Sequence, residues 1–187
     1  MVILNKRDRY GWGMIGLHWV VAITVFGMFG LGIWMVDLGY YDTWYKKGPD
    51  LHRSIGVLLL GAMLLRLAWR LLNPPPRQEA SLSRWERTAG TLVHGCFYMM
   101  IVLIACTGYF ITTADGRSLQ VFDWFAIPAV TLGLDNQEDL AGEVHWYLAV
   151  VMMVLVSAHV LAALKHHFVD HDHTLLKMFG KENLDSQ

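Results

Sequence analysis

The sequence predicts an all-α integral membrane protein, a single four-helix bundle that runs up-down-up-down with both termini in the cytoplasm. Apolar residues make up 55% of the 187 residues and charged residues 17%, against about 25% charged residues in an average soluble domain. Four segments are each apolar enough to cross a bilayer, which takes about 20 residues. The net charge of −1 offers no electrostatic basis for binding nucleic acid.

Residues 1–187 are predicted to form one domain, with spans at roughly 12–36, 52–72, 89–113 and 145–168. The first span is not a signal peptide, because it lacks a small-residue cleavage site. It also begins among aromatic residues of the kind that stay at a membrane interface, namely Tyr10, Trp12 and Trp19.

The second span is the weakest of the four, because Arg66 and Arg70 lie in its last turns. Long side chains of this kind can extend to the membrane interface. The run Asn73-Pro74-Pro75-Pro76 then stops the helix and begins a linker.

The third connection, residues 114–144, is long and contains an aromatic stretch at residues 121–128. This stretch is interpreted as a short element lying on the outer interface, and not as a fifth span. The tail beyond His173 is polar and is expected to fray.

The distribution of charge predicts the orientation. Basic residues concentrate in the amino terminus, the second connection and the carboxyl terminus: Lys6, Arg7, Arg9, Arg77, Arg84, Arg87, Lys165, Lys177 and Lys181. The first and third connections are rich in acids and carry only Lys46, Lys47 and Arg117 as basic residues. The positive-inside rule therefore predicts that both termini are cytoplasmic and that the acidic connections face outward.

Five histidines lie within or at the edge of the spans: His18, His52, His94, His145 and His159. Ionisable residues at membrane depth are rare and are functional by default. The predicted orientation puts His52 and His145 near the outer surface. It puts His18, His94 and His159 nearer the inner surface.

The two histidines of the fourth span are the most informative. Fourteen residues separate His145 from His159, and at about 100° per residue both rings leave nearly the same helix face. At about 1.5 Å of rise per residue they lie about 21 Å apart, too far for one metal ion. The interval suits two flat cofactors within a hydrocarbon core of about 30 Å.

Depth then pairs the ligands. His52 matches His145, whereas either His18 or His94 matches His159. Paired histidines suit an electron-transfer haem, because they leave no open position on the iron. The alternative is that each histidine hydrogen-bonds a neighbouring helix. A covalently attached c-type haem is not expected, because the cysteines form no C-x-x-C-H motif.

Several short sequences occur in an order and spacing that resemble a known family. They are Leu17-His18-Trp19, Leu51-His52-Arg53-Ser54-Ile55-Gly56, Arg66-Leu67-Ala68-Trp69-Arg70, His94, His145-Trp146, Ser157-Ala158-His159, His166-His167-Phe168 and Asp172-His173-Thr174-Leu175-Leu176-Lys177-Met178. Together they resemble the bacterial cytochrome b561 family over nearly the whole chain.

The resemblance implies a cytochrome of the bacterial inner membrane that binds two haem b groups and exchanges electrons with ubiquinone. By position it implies three pairs: His18 with His159 on the cytoplasmic-side haem iron, His52 with His145 on the periplasmic-side haem iron, and His94 with His166 lining a quinone pocket. One branch of the family oxidises superoxide on the periplasmic side and reduces quinone.

The sequence thus predicts an oxidoreductase-like relay from a periplasmic donor, with superoxide favoured, to membrane quinone. An acidic surface slows the approach of an anion, so Arg53 with Lys46, Lys47 and Arg117 would have to form a local positive path. Two alternatives stay open. One is a cytochrome b anchor for a hydrogenase or formate dehydrogenase-type partner subunit, and the other is a haem-free transporter.

Overall fold

The computed structural model describes residues 2–6, 9–77, 79 and 81–180, and these consist mainly of long helices. The long helices are α1 (Trp12–Val36), α2 (Lys47–Leu72), α3 (Arg84–Thr112) and α4 (Gln137–Phe168). Each is long and apolar enough to cross a membrane, which confirms the four predicted spans. Arg7 and Lys181, two of the charges behind the predicted orientation, lie outside the described residues.

The last three long helices begin before the apolar segments that predicted them. The start of α3 shows why: the Ser83 hydroxyl accepts a hydrogen bond from the Glu86 amide at 3.2 Å, and the Glu86 carboxylate accepts one from the Ser83 amide at 2.9 Å. This is a capping box. Hydropathy marks the part of a helix suited to lipid, whereas capping hydrogen bonds mark where the helix begins.

The described residues form two compact units, and each long helix contributes one segment to each unit. Unit one contains the described residues of Met1–Val20, Leu64–Tyr98 and Met152–Gln187. Unit two contains Val21–Met63 and Met99–Val151. The membrane histidines divide accordingly, with His18, His94 and His159 in unit one and His52 and His145 in unit two.

The third connection contains a small antiparallel hairpin, β1 (Leu119–Val121) and β2 (Phe125–Ile127), within unit two. At its turn the amide of Phe122 donates a hydrogen bond of 2.9 Å to the buried hydroxyl of Ser54 on α2. The exposed Trp124 lies in the same turn. The predicted short element is therefore a hairpin held to α2, and the described residues contain no fifth span.

The carboxyl-terminal segment folds back onto unit one. It contains the short helix α5 (Thr174–Lys177), and the nearly buried ammonium group of Lys177 lies 2.6 Å from the Glu79 carboxylate. The indole of Trp19 donates a hydrogen bond of 2.9 Å to the Met178 carbonyl. The expectation that this tail frays is therefore wrong as far as residue 180, because these polar contacts hold it in place.

Candidate functional site

Two histidines of unit two face each other. The ring centroids of His52 on α2 and His145 on α4 are 6.2 Å apart, and the ring planes are inclined by 67°. The other two helices contribute glycines at the same place. A Cβ atom on Gly32 of α1 would lie 3.3 Å from His52 Cε1, and one on Gly108 of α3 would lie 3.3 Å from His145 Cε1. All four long helices therefore shape this site, and the glycines give the rings room beside the helix backbone.

Hydrogen bonds set the orientation of the His145 ring. Its Nδ1 lies 3.0 Å from the carbonyl oxygen of Ile104 and 3.1 Å from the hydroxyl of Thr107. A carbonyl oxygen only accepts hydrogen bonds, so Nδ1 carries the hydrogen and the Nε2 lone pair is free. Metal-bound histidines commonly donate their second N–H in this way. The ring is thus prepared to bind a metal ion through Nε2.

The pair fits a b-type haem. Metal–imidazole nitrogen bonds are about 2 Å long, as for zinc. The distance of 6.2 Å between the ring centroids of His52 and His145 therefore leaves room for one ion bound by both rings. The Nδ1 of His52 is buried and has no hydrogen-bond partner in the described part of the chain. Two imidazoles on one iron leave no open coordination position, which is the arrangement of electron-transfer haems.

Unit one holds a different cluster of rings. The ring centroids of His94 on α3 and His159 on α4 are 5.4 Å apart, with planes inclined by 76°. Phe97 lies 5.4 Å from His159 and 6.3 Å from His94, measured between ring centroids. The family resemblance pairs His159 with His18, whereas the histidine ring described in contact with His159 is that of His94. His18 and His94 both lie in unit one with His159, so each is still a candidate for the second ligand.

His18 contacts Arg66, one of the two arginines in the last turns of the second predicted span. Arg66 is 8% exposed, and its Nη2 lies 3.0 Å from His18 Nδ1. A guanidinium group only donates, so His18 Nδ1 accepts, and the hydrogen of the neutral ring is on Nε2. This tautomer is the opposite of that of His145. For His18 Nε2 to bind iron, Arg66 has to release Nδ1 or Nε2 has to lose its hydrogen.

Arg66 is therefore buried against His18 and does not extend into solvent. A signal for its position was available, since Arg66 follows His52 by fourteen residues, the same interval that separates His145 from His159. Its Nε is buried with no hydrogen-bond partner in the described residues. A buried cation is costly without an anionic partner, and haem carries two carboxylates that could supply one. Arg66 therefore fits a haem-binding site as well as the histidines do.

His166, the second histidine predicted for a quinone pocket, lies among carboxylates at the end of α4. Its Nδ1 is 2.7 Å from an oxygen of Asp170 and 3.5 Å from an oxygen of Asp172. Lys165 contacts Asp170 at 2.7 Å and Glu86 at 2.9 Å. The hydrogen bond from Lys165 holds the pKa of Asp170 below its ordinary value. His94 and His166 thus have different surroundings, one among rings and the other among charges.

Sequence reasoning missed several residues that shape these sites. Gly108, Ile104 and Thr107 of α3 position or accommodate His145, and Phe97 packs on His159. A glycine within a membrane helix was the one signal available, because glycine admits the close approach of a bulky ring. The roles of Ile104, Thr107 and Phe97 depend on which ring lies beside them in the folded protein, and the sequence does not specify that.

The chain is similar to known proteins along nearly its whole length. Residues 9–181 match the family described as prokaryotic cytochrome b561. The chain is 45% identical over 185 residues to cytochrome b561 homolog 2 of Escherichia coli K12, which covers 99% of this chain and 98% of that protein. It is 28% identical over 182 residues to the probable superoxide oxidase CybB of Yersinia pestis, covering 94% and 98%. It is 26% identical over 185 residues to cytochrome b561 homolog 1 of Escherichia coli K12, covering 93% and 98%.

Proposed function

The chain belongs to the prokaryotic cytochrome b561 family, and we propose that it is a dihaem cytochrome that relays electrons across the bacterial inner membrane to ubiquinone. Family membership and the four apolar helices support a multi-pass membrane protein that transfers electrons through b-type haem. The observation that carries the finer proposal is the facing pair His52 and His145, with Nδ1 of His145 bonded to Ile104.

In this proposal His52 and His145 hold one haem in unit two, and His18 and His159 hold another in unit one. Bound haem supplies a one-electron redox centre at iron. The protein's own contribution is to hold each group by two imidazoles, which leaves no position for an exchangeable ligand. The hydrogen bond from His145 to Ile104 fixes one ring, and Arg66 acts on His18. Both termini are proposed to be cytoplasmic, as the positive-inside rule predicts.

The proposed acceptor, ubiquinone, lies beside His94 and His166 in unit one. Quinone reduction consumes protons as well as electrons, and histidine titrates near neutral pH. The contact of His94 with His159, a proposed haem ligand, supports the place of His94. The place of His166 is what the family resemblance implies. Replacing both His94 and His166 with glutamine is expected to slow quinone reduction at unchanged haem content. Unchanged kinetics in that double variant would remove the pocket from the proposal.

Superoxide is the proposed donor, and the similarity of the chain to the probable superoxide oxidase of Yersinia pestis supports this proposal. Arg53 and Arg117 each form an ion pair with an aspartate, Asp50 and Asp115 respectively, which weakens their pull on an anion. The neighbouring Lys46 and Lys47 are exposed. Replacing both lysines with glutamine should lower the superoxide-dependent rate and flatten its salt dependence, since steering by exposed charge is screened by salt. An equal effect from Arg117→Gln would contradict this ranking of the cations.

Reduced-minus-oxidised spectra and a pyridine haemochrome count on the purified protein in detergent test the core of the proposal. Two b haems per chain are expected. His145→Ala should leave one haem, and the matched control His171→Ala should leave two. A single haem in the unmodified protein would overturn the dihaem assignment. The alternatives, an anchor subunit for a hydrogenase or formate dehydrogenase-type partner and a haem-free transporter, are not favoured by these observations.

A further inference from the structure

A cluster of chemically active side chains lies in unit one, apart from the rings that are proposed to bind haem. Glu86, His166 and Asp170 each present one ligand atom, and these atoms all lie within 4.8 Å of one another. Asp172 adjoins the same histidine. We propose that Glu86, His166 and Asp170 bind a divalent transition-metal cation of the zinc class, with the Asp172 carboxylate beside them; these four residues are called the Glu86 cluster.

Asp172 gives independent support for a cation at this place. Its side chain is 4% exposed. One carboxylate oxygen accepts a hydrogen bond of 2.8 Å from the Thr174 amide. The other, Oδ2, is buried without a hydrogen-bond partner in the described residues and lies 3.5 Å from His166 Nδ1. A buried carboxylate oxygen without a partner is costly, so it points to a positive charge that binds beside His166.

The balance of charge in the cluster also favours a cation. Three carboxylates are opposed by one ammonium group, that of Lys165, which contacts Glu86 at 2.9 Å and Asp170 at 2.7 Å. The Lys165 side chain is 48% exposed and has a flexible stem, so it can turn toward solvent. A divalent cation would replace this ammonium group between the two carboxylates and would add charge that Lys165 does not supply.

The donor atoms select the class of metal. Zinc binds imidazole nitrogen and carboxylate oxygen at about 2.0–2.2 Å in a tetrahedron, with water completing the shell where three protein ligands are present. Calcium prefers six to eight oxygen ligands, so a site that includes an imidazole nitrogen suits it less well. Coordination through Nδ1 of His166 releases the hydrogen that this atom donates to Asp170, and the proton leaves to solvent.

Equilibrium dialysis of the haem-loaded protein in detergent against zinc chloride, followed by metal analysis, tests the site directly. One saturable zinc ion per chain is expected. His166→Ala and Asp170→Asn should each weaken binding by roughly tenfold or more, the scale on which even supporting groups alter metal affinity. His173→Ala is the matched control, since it removes a histidine of the same tail from outside the cluster. Zinc binding that is absent, or equally weak in His166→Ala and His173→Ala, would overturn the proposal.

Lys165→Met gives a second test with the opposite sign. Because the Lys165 ammonium group competes with the metal for Glu86 and Asp170, its removal should tighten zinc binding by roughly two- to fivefold, the scale of an exposed ion pair. If Lys165 served only to hold the segment together, its removal would weaken zinc binding. Weaker binding in Lys165→Met with an unchanged haem spectrum would therefore contradict competition between the ammonium group and the metal for Glu86 and Asp170.

One consequence rests on the proposed function. Zinc on His166 should slow quinone reduction, because that histidine is proposed to line the quinone pocket, and His166→Ala should lose the sensitivity to zinc. Dialysis and quinone kinetics report separately. Zinc that binds without changing quinone reduction would support the metal site and would count against the quinone role of His166.

Discussion

The histidine sites of the two units differ in composition. The site in unit two suits the binding of one metal ion, whereas the site in unit one contains further polar side chains. In unit two, two histidines face each other, two glycines make room for them, and a carbonyl fixes the His145 ring. In unit one, three histidines share the space with a buried arginine, and the rings of His94 and His159 are in contact.

A site with two histidines can be assigned from its ligands alone, whereas a site with three histidines and an arginine cannot. In unit two, His52 and His145 have the same proposed role, as the two ligands of one haem. In unit one, His18 and His94 compete for the same role, and Arg66 bears on one of them through a hydrogen bond. The additional groups suit a site that handles protons as well as electrons, which is where the proposal puts quinone.

The largest expected effect separates His18 from His94. We expect His18→Ala to lose one of two haems and His94→Ala to keep both, because His18 is the proposed ligand and His94 is not. The measurement is the pyridine haemochrome count on purified protein, with the haem of unit two reporting that the variant is folded. Loss of haem from His94→Ala but not from His18→Ala would exchange the two roles.

Arg66→Met is expected to change the redox potential of one haem only. A buried positive charge favours the less positive, reduced iron, so its removal should lower that midpoint potential by about 60 mV, a tenfold change in a one-electron equilibrium. Potentiometric titration measures both haems at once. Arg66→Lys keeps the charge and should shift the potential less. Equal shifts in the two haems would contradict a local effect of Arg66 in unit one.

Gly32→Ala and Gly108→Ala are expected to destabilise the site in unit two by a smaller amount. Each added Cβ would lie 3.3 Å from a histidine ring, whereas one on Gly30 would meet nothing within 4 Å. Overpacking of this kind costs about 1 kcal/mol or more, which corresponds to a fall of about 2–4 °C in Tm. Thermal loss of the Soret band measures it, with Gly30→Ala as the control for helix propensity. Equal Tm values in all three variants would show that the rings do not need this room.

The smallest effect concerns Asp170, whose pKa is lowered mainly by its hydrogen bond from Lys165. A carboxyl group with a lowered pKa stabilises the folded state above its unfolded pKa of about 3.9. That contribution is lost as the pH falls through the lowered value. Asp170→Asn should therefore reduce Tm slightly near neutral pH, and the difference from the unmodified protein should vanish in acid. A difference that persists in acid would assign the effect to packing.

Much of the fold was accessible from the sequence because it depends on local properties. Hydropathy located the four helices, and the residues Pro74, Pro75 and Pro76 marked the end of α2. The sequence also contained a signal for the early start of α3, since Ser83 and Glu86 have capping-box spacing. Hydropathy does not detect this signal, because both residues are polar. The sequence predicted a short element in the third connection but not its hairpin form, and it did not predict the folded tail. Long-range hydrogen bonds hold both, from Phe122 to Ser54 in the hairpin and from Trp19 to Met178 in the tail.

The sequence by itself determined which residues could act: four apolar helices, five histidines at membrane depth, and a fourteen-residue interval on the last helix. These follow from composition and from the fixed rise and rotation of a helix. Depth along the spans already paired His52 with His145, whose rings face each other. Only the tertiary structure decided the contacts in unit one, where it put His94 against His159 and buried Arg66 beside His18. Those contacts depend on how each helix is rotated and packed against its neighbours, which spacing along one chain segment does not specify.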